Sequence, residues 1–201
     1  MHKYLLEKIW DPLTRLWHWV LAVVVSLGWF FGEFMSFTRI EWHFYCGYTV
    51  LGLLAVRLIW GFIGPTPIRF SSLFFRPSAL LNYARTLPKR SPSGTPGHNP
   101  LGSLSVLALL LLLTAQALSG LFIESDVFFE TGPLAYLVTE ATMSSLAWWH
   151  GLLAKCILVV VVLHVAAIFY YWLWKKENLI KPMITGWKWV KRAQVTKDKN
   201  P

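Results

Sequence analysis

Four long apolar segments, separated by polar connections, dominate the pattern of hydrophobic and polar positions along the chain. Crossing the hydrocarbon core of a bilayer takes about 20 mostly apolar residues in a helix, and each segment reaches that length. The pattern therefore predicts an all-α integral membrane protein, a four-helix transmembrane bundle. The predicted spans cover residues 11–32, 38–63, 101–123 and 144–174.

Local signals at the ends of the segments agree with helices. Asp11 followed by Pro12 favours a helix start, because the carboxylate caps free N–H groups and proline fits the first turn. Thr38 and Glu41 have the spacing of a capping box at the start of the second span. The Gly-Pro-Thr-Pro run at 64–67 ends that span.

The connections between the spans differ in length and character. Residues 64–100 form a long loop rich in Pro, Ser and Gly, with a stretch that we expect to form a short amphipathic helix on the membrane surface. The connection at 125–143 is shorter and acidic, and a basic tail of 175–201 follows the last span. We predict one membrane domain over 1–201, since 201 residues favour a single domain.

Composition supports a membrane location. The chain is 55% hydrophobic and 14% charged, whereas soluble domains average about 25% charged residues. The N-terminus lacks a small-residue cleavage site after its first apolar stretch, which indicates a retained span. Two cysteines are too few for a disulfide scaffold.

The charged residues predict the orientation, because Lys and Arg stay on the cytoplasmic side during insertion. Both termini and the 64–100 loop carry nearly all the Lys and Arg, so we expect them to face the cytoplasm of a bacterial inner membrane. The net charge of +9 is then a topology signal, and nucleic acid is an unlikely partner. The opposite side carries Arg39 and mostly acids: Glu33, Glu41, Glu124, Asp126, Glu130 and Glu140.

Four of the six histidines fall inside the predicted spans: His18, His43, His150 and His164. A single histidine at such a position serves a helix–helix hydrogen bond about as often as a functional role. Four of them favour a function. His150 and His164 are fourteen residues apart, which places them roughly 21 Å apart along one helix and on one face of it.

Matching the depths of the histidines gives two pairs. His18 and His164 each lie some 10–15 Å from the cytoplasmic ends of their spans. His43 and His150 each lie close to the opposite ends. Two imidazoles from facing helices are the axial ligands of a low-spin b haem. Zinc is the rival metal, but it requires three or four ligands, and each level supplies two.

Glycines and other small residues would let a macrocycle lie close to the backbone, although small residues are also common in ordinary membrane-helix packing. The candidates are Gly28, Gly32, Gly47, Gly52, Gly120 and Gly151.

Taken together, these residues resemble the bacterial cytochrome b561 and nickel–iron hydrogenase cytochrome b superfamily. The resemblance covers nearly the whole chain, and it implies four spans, two b haems and electron exchange with quinone in the membrane. It implies the same iron ligands, His18 with His164 for an inner haem and His43 with His150 for an outer one. The matching pieces are "WDPLTRLWHW", "WHFYCGYTVLGLLAVRLIWGFIG", "GHNPLGSLSVLALLLLLTAQALSGLF", "WHGLLAKCILVVVVLHVA" and "ENLIKPMITG".

Three further side chains are candidates with alternatives left open. Lys155 departs from the family pattern; it either snorkels to the membrane surface or pairs with a haem propionate. Arg57 is either an anchor at the cytoplasmic end of its span or a partner of an inner-haem propionate. His98 is a loop or capping residue, or it lines a quinone pocket.

The predicted function is electron transfer across the inner membrane by a di-haem b-type cytochrome. We expect quinone or quinol at one end and a periplasmic redox partner at the other, with a c-type cytochrome favoured because the periplasmic loops are acidic. The alternatives are a membrane anchor of a hydrogenase or similar dehydrogenase, and a superoxide:quinone oxidoreductase. Acidic loops disfavour the last, since they repel an anionic substrate.

Overall fold

The structure is a computed structural model, and it describes residues 4–125, 127–128 and 130–192. Asp126 of the acidic connection and the end of the basic tail, 193–201, lie outside the described residues. Four helices are long and apolar enough to cross a membrane, which confirms the predicted fold class of an all-α membrane protein with four spans. They are α1 (Pro12–Glu33), α2 (Phe37–Ile63), α4 (Pro100–Gly120) and α5 (Glu140–Leu173).

Side-chain caps explain two of the helix starts. Both oxygens of Asp11 are used at the start of α1, where Oδ1 accepts from the Thr14 N–H at 3.0 Å and Oδ2 from the Thr14 hydroxyl at 2.6 Å. At the start of α2, Ser36 Oγ accepts from the Arg39 N–H at 3.4 Å. The helix thus begins one residue before Thr38, and the cap is Ser36 where the sequence pointed to Thr38.

The described residues also form two short α-helices, three single-turn 3-10 helices and four short strands. The short helices are α3 (Pro77–Ala84), inside the stretch where a surface helix is expected, and α6 (Ile180–Thr185). The strands are β1 (Tyr4–Lys8), β2 (Glu124–Ser125), β3 (Glu130–Thr131) and β4 (Trp187–Lys191).

Contacts group the chain into two units. The loop unit comprises the chain up to Trp17, Ile59–Leu107 and the chain from Val162 onward. The hairpin unit comprises His18–Leu58 and Ala108–Val161.

In the loop unit, β1 pairs antiparallel with β4, with Tyr4 opposite Lys191 and Lys8 opposite Trp187. The backbone turns into β4 at Gly186, whose φ of 86° favours glycine. A Cβ there would also lie 2.7 Å from the Trp10 carbonyl oxygen. An apolar core supports this ribbon; it contains Ile9, Trp10, Ile68 and Val190, with Trp60 and Met183 packed against them.

In the hairpin unit, β2 and β3 form a two-stranded antiparallel hairpin between α4 and α5, with Glu124 opposite Thr131. Arg39 donates to the Phe34 carbonyl oxygen at 2.8 Å and lies 5.9 Å from the centre of the Phe30 ring. Its guanidinium therefore satisfies a carbonyl just beyond the C-terminal end of α1.

Candidate functional site

The hairpin unit brings His43 of α2 and His150 of α5 together. Their ring centres are 6.1 Å apart, and the ring planes are inclined by 76°. Two metal–imidazole bonds of about 2 Å each, plus about 1 Å from each nitrogen to its ring centre, span about 6 Å. The separation of the two rings therefore allows both of them to bind one metal ion.

A backbone carbonyl orients the His43 ring. Nδ1 of His43 lies 2.9 Å from the carbonyl oxygen of Gly28 in α1. Because a carbonyl oxygen only accepts, Nδ1 carries the proton and donates it, which leaves the lone pair on Nε2. A Cβ at Gly32, one turn further along α1, would lie 3.0 Å from Cε1 of His43. Glycine at position 32 therefore makes room for the ring.

A serine does the same for the His150 ring. Ser119 Oγ in α4 donates to the Gln116 carbonyl oxygen at 2.9 Å, so its hydroxyl proton is already used. Nδ1 of His150 lies 3.0 Å from the hydroxyl oxygen of Ser119, and Nδ1 must be the donor in this hydrogen bond. A Cβ at Gly120 would lie 3.1 Å from Cε1 of His150.

In both rings Nδ1 is thus bonded to a fixed acceptor, and Nε2 is the nitrogen that can bind a metal. Histidines that bind metal usually have their other ring nitrogen held in this way. The described part of the chain contains no group of three or more His, Cys, Asp or Glu side chains that could hold a metal ion. The donor set thus fits a b haem, which takes two axial imidazoles, better than it fits zinc.

The other two membrane histidines lie in different units. His18 of α1 belongs to the hairpin unit, where its ring packs edge-on against Trp19 with 5.2 Å between ring centres. His164 belongs to the loop unit and lies in α5, the same continuous helix as His150. Both side chains are half-buried. The pairing of His18 with His164 stays a prediction from the sequence.

The remaining predicted site residues occupy distinct environments. Arg57 is buried in α2, with 5% of its surface exposed, whereas Lys155 of α5 is exposed. His98 lies in the loop unit, where its ring centre is 4.8 Å from that of Trp10. Its ring therefore takes part in the packing of the segment that precedes α4.

The six candidate glycines separate into two groups. Gly32 and Gly120 adjoin the histidine rings, and a Cβ at Gly28 would lie 3.3 Å from Cβ of Cys46. The other three have open space where a Cβ would be: Gly47, Gly52 and Gly151.

Sequence reasoning missed the residues that orient the rings, Ser119 and the carbonyl of Gly28. Ser119 precedes Gly120, so a small hydroxyl residue and a glycine are adjacent near the end of the third apolar segment. That signal becomes informative only once α4 is known to lie beside His150, because serine is common in membrane helices.

The chain is similar over most of its length to proteins described as b-type cytochromes. A family model described as "Prokaryotic cytochrome b561" matches residues 9–186. The chain is 23% identical to a protein of Escherichia coli K12 described as "Probable Ni/Fe-hydrogenase 1 B-type cytochrome subunit", over 90% of this chain and 89% of that protein. Two further proteins are described as "Probable Ni/Fe-hydrogenase B-type cytochrome subunit". The chain is 24% identical to the one from Azotobacter vinelandii and 26% identical to the one from Azotobacter chroococcum. Each alignment covers 91% of this chain and 88% of the relative. No solved structure matches the chain.

Proposed function

This chain belongs to the prokaryotic cytochrome b561 family, and from that premise we propose that it is a di-haem cytochrome that moves electrons across a bacterial inner membrane. Membership and the four apolar helices establish the coarser statement, a b-type cytochrome with an electron-transfer role in a bacterial membrane. The proposal adds the number of haems, the ligands, the orientation and the redox partners.

The observation that carries the proposal is the His43–His150 pair, with its ring separation of 6.1 Å and both Nδ1 atoms already bonded. A b haem held by two histidines supplies reversible one-electron transfer at its iron. His43 and His150 would hold the outer haem through Nε2. Gly28 and Ser119 would keep the two rings in place, because each accepts the Nδ1 proton of one ring.

For the inner haem we propose His18 and His164. Support comes from the sequence: both lie at matching distances from the cytoplasmic ends of their spans, and His164 follows His150 on α5 by fourteen positions. Helix geometry then separates the two ligand levels by roughly 21 Å along α5. Two haems at these levels would divide the crossing of the membrane into two steps.

Arg57 is the better candidate for a propionate partner. Its guanidinium is buried in a membrane-spanning helix, and its planar fork of N–H groups matches a carboxylate such as a propionate. Lys155 is exposed, and its long side chain can reach the membrane surface. We therefore propose Arg57 as a contact of the inner-haem propionate, and Lys155 as a snorkelling residue.

We propose quinone or quinol as the exchange partner at the cytoplasmic end. At the opposite end, which we expect to be periplasmic, there are two candidate redox partners. The relatives' names favour a hydrogenase or a similar dehydrogenase. Acidic residues in the segments predicted to be periplasmic favour a basic c-type cytochrome, through complementary charge, and disfavour superoxide, which is an anion.

The purified chain tests the central proposal. Pyridine haemochrome analysis should give two b haems per chain, and a quinol analogue should reduce them. One haem per chain would refute the di-haem assignment, and haems that quinol does not reduce would refute the quinone assignment.

The partner at the outer end needs a separate experiment. The reduced protein is mixed with a basic c-type cytochrome, and the oxidised protein is mixed with a periplasmic hydrogenase under hydrogen, each at low and at high salt. Fast, salt-sensitive oxidation by the c-type cytochrome would support that partner, since steered association weakens with ionic strength. Hydrogen-dependent reduction by the hydrogenase would support the other.

A further inference from the structure

The ribbon of β1 and β4 has one covered face and one open face. Side chains alternate between the two faces of a strand, and Lys188 and Val190 of β4 are buried. Trp187 and Trp189 lie on the opposite face, with 48% and 62% of their surfaces exposed. Leu6 of β1 pairs with Trp189 in the register and is likewise 48% exposed. The open face of the ribbon therefore presents two indole rings and a leucine side chain.

This open face borders a wide cleft within the loop unit, the ribbon cleft. Its volume is about 970 Å³. The three apolar side chains of the open face line it, together with Lys176 and Lys181. The ribbon cleft thus brings a broad apolar surface and two cationic side chains together.

The two cations of the ribbon cleft have no carboxylate partner among the described residues. Lys176 and Lys181 are both exposed, and neither takes part in an ion pair within that part of the chain. The carboxylate of the cleft, Glu177, is already used, because Lys188 Nζ lies 3.3 Å from one of its oxygens and the Ser93 hydroxyl and backbone N–H donate to it. The two unpaired lysines therefore leave the cleft with a net positive charge, which favours an anionic ligand.

The ribbon cleft also lies close to the ends of membrane-spanning helices. α1 has 22 residues, so it is about 33 Å long, close to the roughly 30 Å of the hydrocarbon core. Its first residue, Pro12, therefore lies near the boundary of the hydrocarbon, and β1 ends at Lys8, four residues earlier. Lys176 follows the last residue of α5, Leu173, by three positions. The chain thus holds both the ribbon and Lys176 near the level of the lipid headgroups.

We infer that the ribbon cleft binds one anionic phospholipid, with its phosphate at the two unpaired lysines and an acyl chain against the open face of the ribbon. Tryptophan is enriched where a protein meets the membrane–water interface, and lysines near the surface attract anionic lipids. A free phosphate would use only the lysines and would leave the indole rings uncovered, whereas a phospholipid engages both features. The inference is independent of the haems and of the redox partners.

The experiment measures lipid binding by the purified, haem-loaded chain in a nonionic detergent. Phosphatidylglycerol is the anionic lipid, phosphatidylcholine is the neutral lipid, and glycerol phosphate is a water-soluble anion that lacks acyl chains. Native mass spectrometry counts the bound molecules and gives the Kd of the first one.

Four variants and one control divide the site. Lys176→Gln and Lys181→Gln, alone and together, remove the cations, and Trp189→Ala removes part of the apolar surface. Lys89→Gln is the matched control, because Lys89 is also an exposed lysine of the loop unit but does not line the ribbon cleft.

We expect the wild type to bind one phosphatidylglycerol about 25-fold more tightly than phosphatidylcholine, since each lysine near an anionic headgroup contributes a factor of about five. Each single lysine variant should weaken binding of phosphatidylglycerol about fivefold, and the double variant about 25-fold. Trp189→Ala should weaken the binding of both lipids. Glycerol phosphate should bind far more weakly than phosphatidylglycerol. Lys89→Gln should match the wild type, and all variants should retain the wild-type haem content.

Three results would overturn the site: equal affinity of the wild type for the two lipids, an unchanged Kd in the double lysine variant, or equal weakening by Lys89→Gln and Lys181→Gln, which would indicate general attraction to a basic surface. Binding of glycerol phosphate as tight as that of phosphatidylglycerol would overturn the lipid assignment, because the acyl chain would then contribute nothing. If one single lysine variant loses haem, the other still decides.

Discussion

In the hairpin unit, His43 bonds to a backbone carbonyl, and His150 bonds to a serine whose hydroxyl in turn bonds to a backbone carbonyl. In the loop unit, the bonds of Tyr171 and Glu177 continue from side chain to side chain. The first arrangement holds each ring in one orientation and leaves one nitrogen available. The second joins side chains that are more than 80 residues apart in the chain. The two units thus use buried polar residues for different tasks, to orient histidine rings and to hold distant segments together.

The two units also differ in how they tolerate a lost partner. Loss of the acceptor beside His43 or His150 leaves one neutral donor, the Nδ1–H of that ring, without its hydrogen-bond partner. In the loop unit, loss of Glu177 would strand the ammonium of Lys188, which is 6% exposed, together with the hydroxyl and the backbone N–H of Ser93. A stranded buried charge is far more costly than a stranded neutral donor.

The largest effect should come from removing an iron ligand. If His43 and His150 bind the same haem, His43→Ala and His150→Ala should each lower the haem content from two per chain to one. The double variant should lose no more, because both residues serve one group. Pyridine haemochrome analysis with a parallel protein assay measures the ratio.

His98→Ala is the matched control for the ligand variants, since this histidine packs against Trp10 and is not a proposed ligand. It should retain two haems. Two haems in His43→Ala, with an unchanged spectrum, would disprove the assigned pair.

The next largest effect concerns the Glu177–Lys188 pair. Glu177→Gln should lower the free energy of unfolding by about 3–5 kcal/mol, the usual cost of removing one partner of a buried ion pair. Lys188→Met should destabilise the protein similarly. The double variant should lose less than the sum of the two, because no charge is then left unpaired. Thermal unfolding of the detergent-solubilised protein, followed by loss of haem absorbance or by size-exclusion chromatography, measures the difference. Additive losses would show that the two charges are not coupled.

The sequence predicted the hairpin unit better than the loop unit, and the reason is physical. The spans are visible because runs of about 20 consecutive apolar residues are rare outside membrane helices, and four histidines inside such runs stand out. The orienting partners of His43 and His150 are 15 and 31 residues away, on neighbouring helices. Carbonyls and serines occur everywhere, so these partners required the packing of the helices to be known.

The hydrogen bonds of the loop unit could not be predicted from the sequence, because they join distant parts of the chain. Tyr83 and Tyr171 are 88 residues apart, and Ser93 and Glu177 are 84 apart. Neither tyrosine belongs to a local motif, and Tyr171 resembles an ordinary interfacial aromatic residue. Glu177 begins the matching piece "ENLIKPMITG", but that piece does not indicate its partners. The pairing of β1 with β4 joins the two ends of the described chain and was not predicted for the same reason.

A smaller effect should follow from filling the space beside His43. Gly32→Ala would place a methyl group 3.0 Å from Cε1 of His43, so the ring or the backbone must shift. Overpacking of this kind typically costs about 1–3 kcal/mol. We expect the variant to bind both haems but to release one of them at a lower temperature, as measured by absorbance during heating.

Gly52→Ala is the control for this steric effect, because a Cβ at position 52 meets nothing within 4 Å. Alanine also favours helix, so this variant should be at least as stable as the wild type. Equal loss of haem in both variants would show that the glycines matter for the helix backbone and not for the fit of the ring.

The smallest effect should come from Ser119→Ala, which removes the acceptor of the His150 Nδ1 proton and leaves the ligand itself in place. An imidazole that donates its Nδ1–H to an acceptor becomes a stronger ligand to iron and favours the oxidised state. Loss of this hydrogen bond should therefore raise the midpoint potential of one haem, on the order of tens of millivolts, compared with about 59 mV for a tenfold change in a one-electron equilibrium.

A redox titration followed by optical spectroscopy separates the two haems by their potentials, and it thereby tests the assignment of Ser119 to one ring. Ser119→Thr retains the hydroxyl and should restore the wild-type potential, provided that the added methyl group is accommodated. A shift of both potentials by the same amount would indicate a general change in the helices. A shift of one potential in Ser119→Ala alone would tie the bonded serine to the haem that His150 binds.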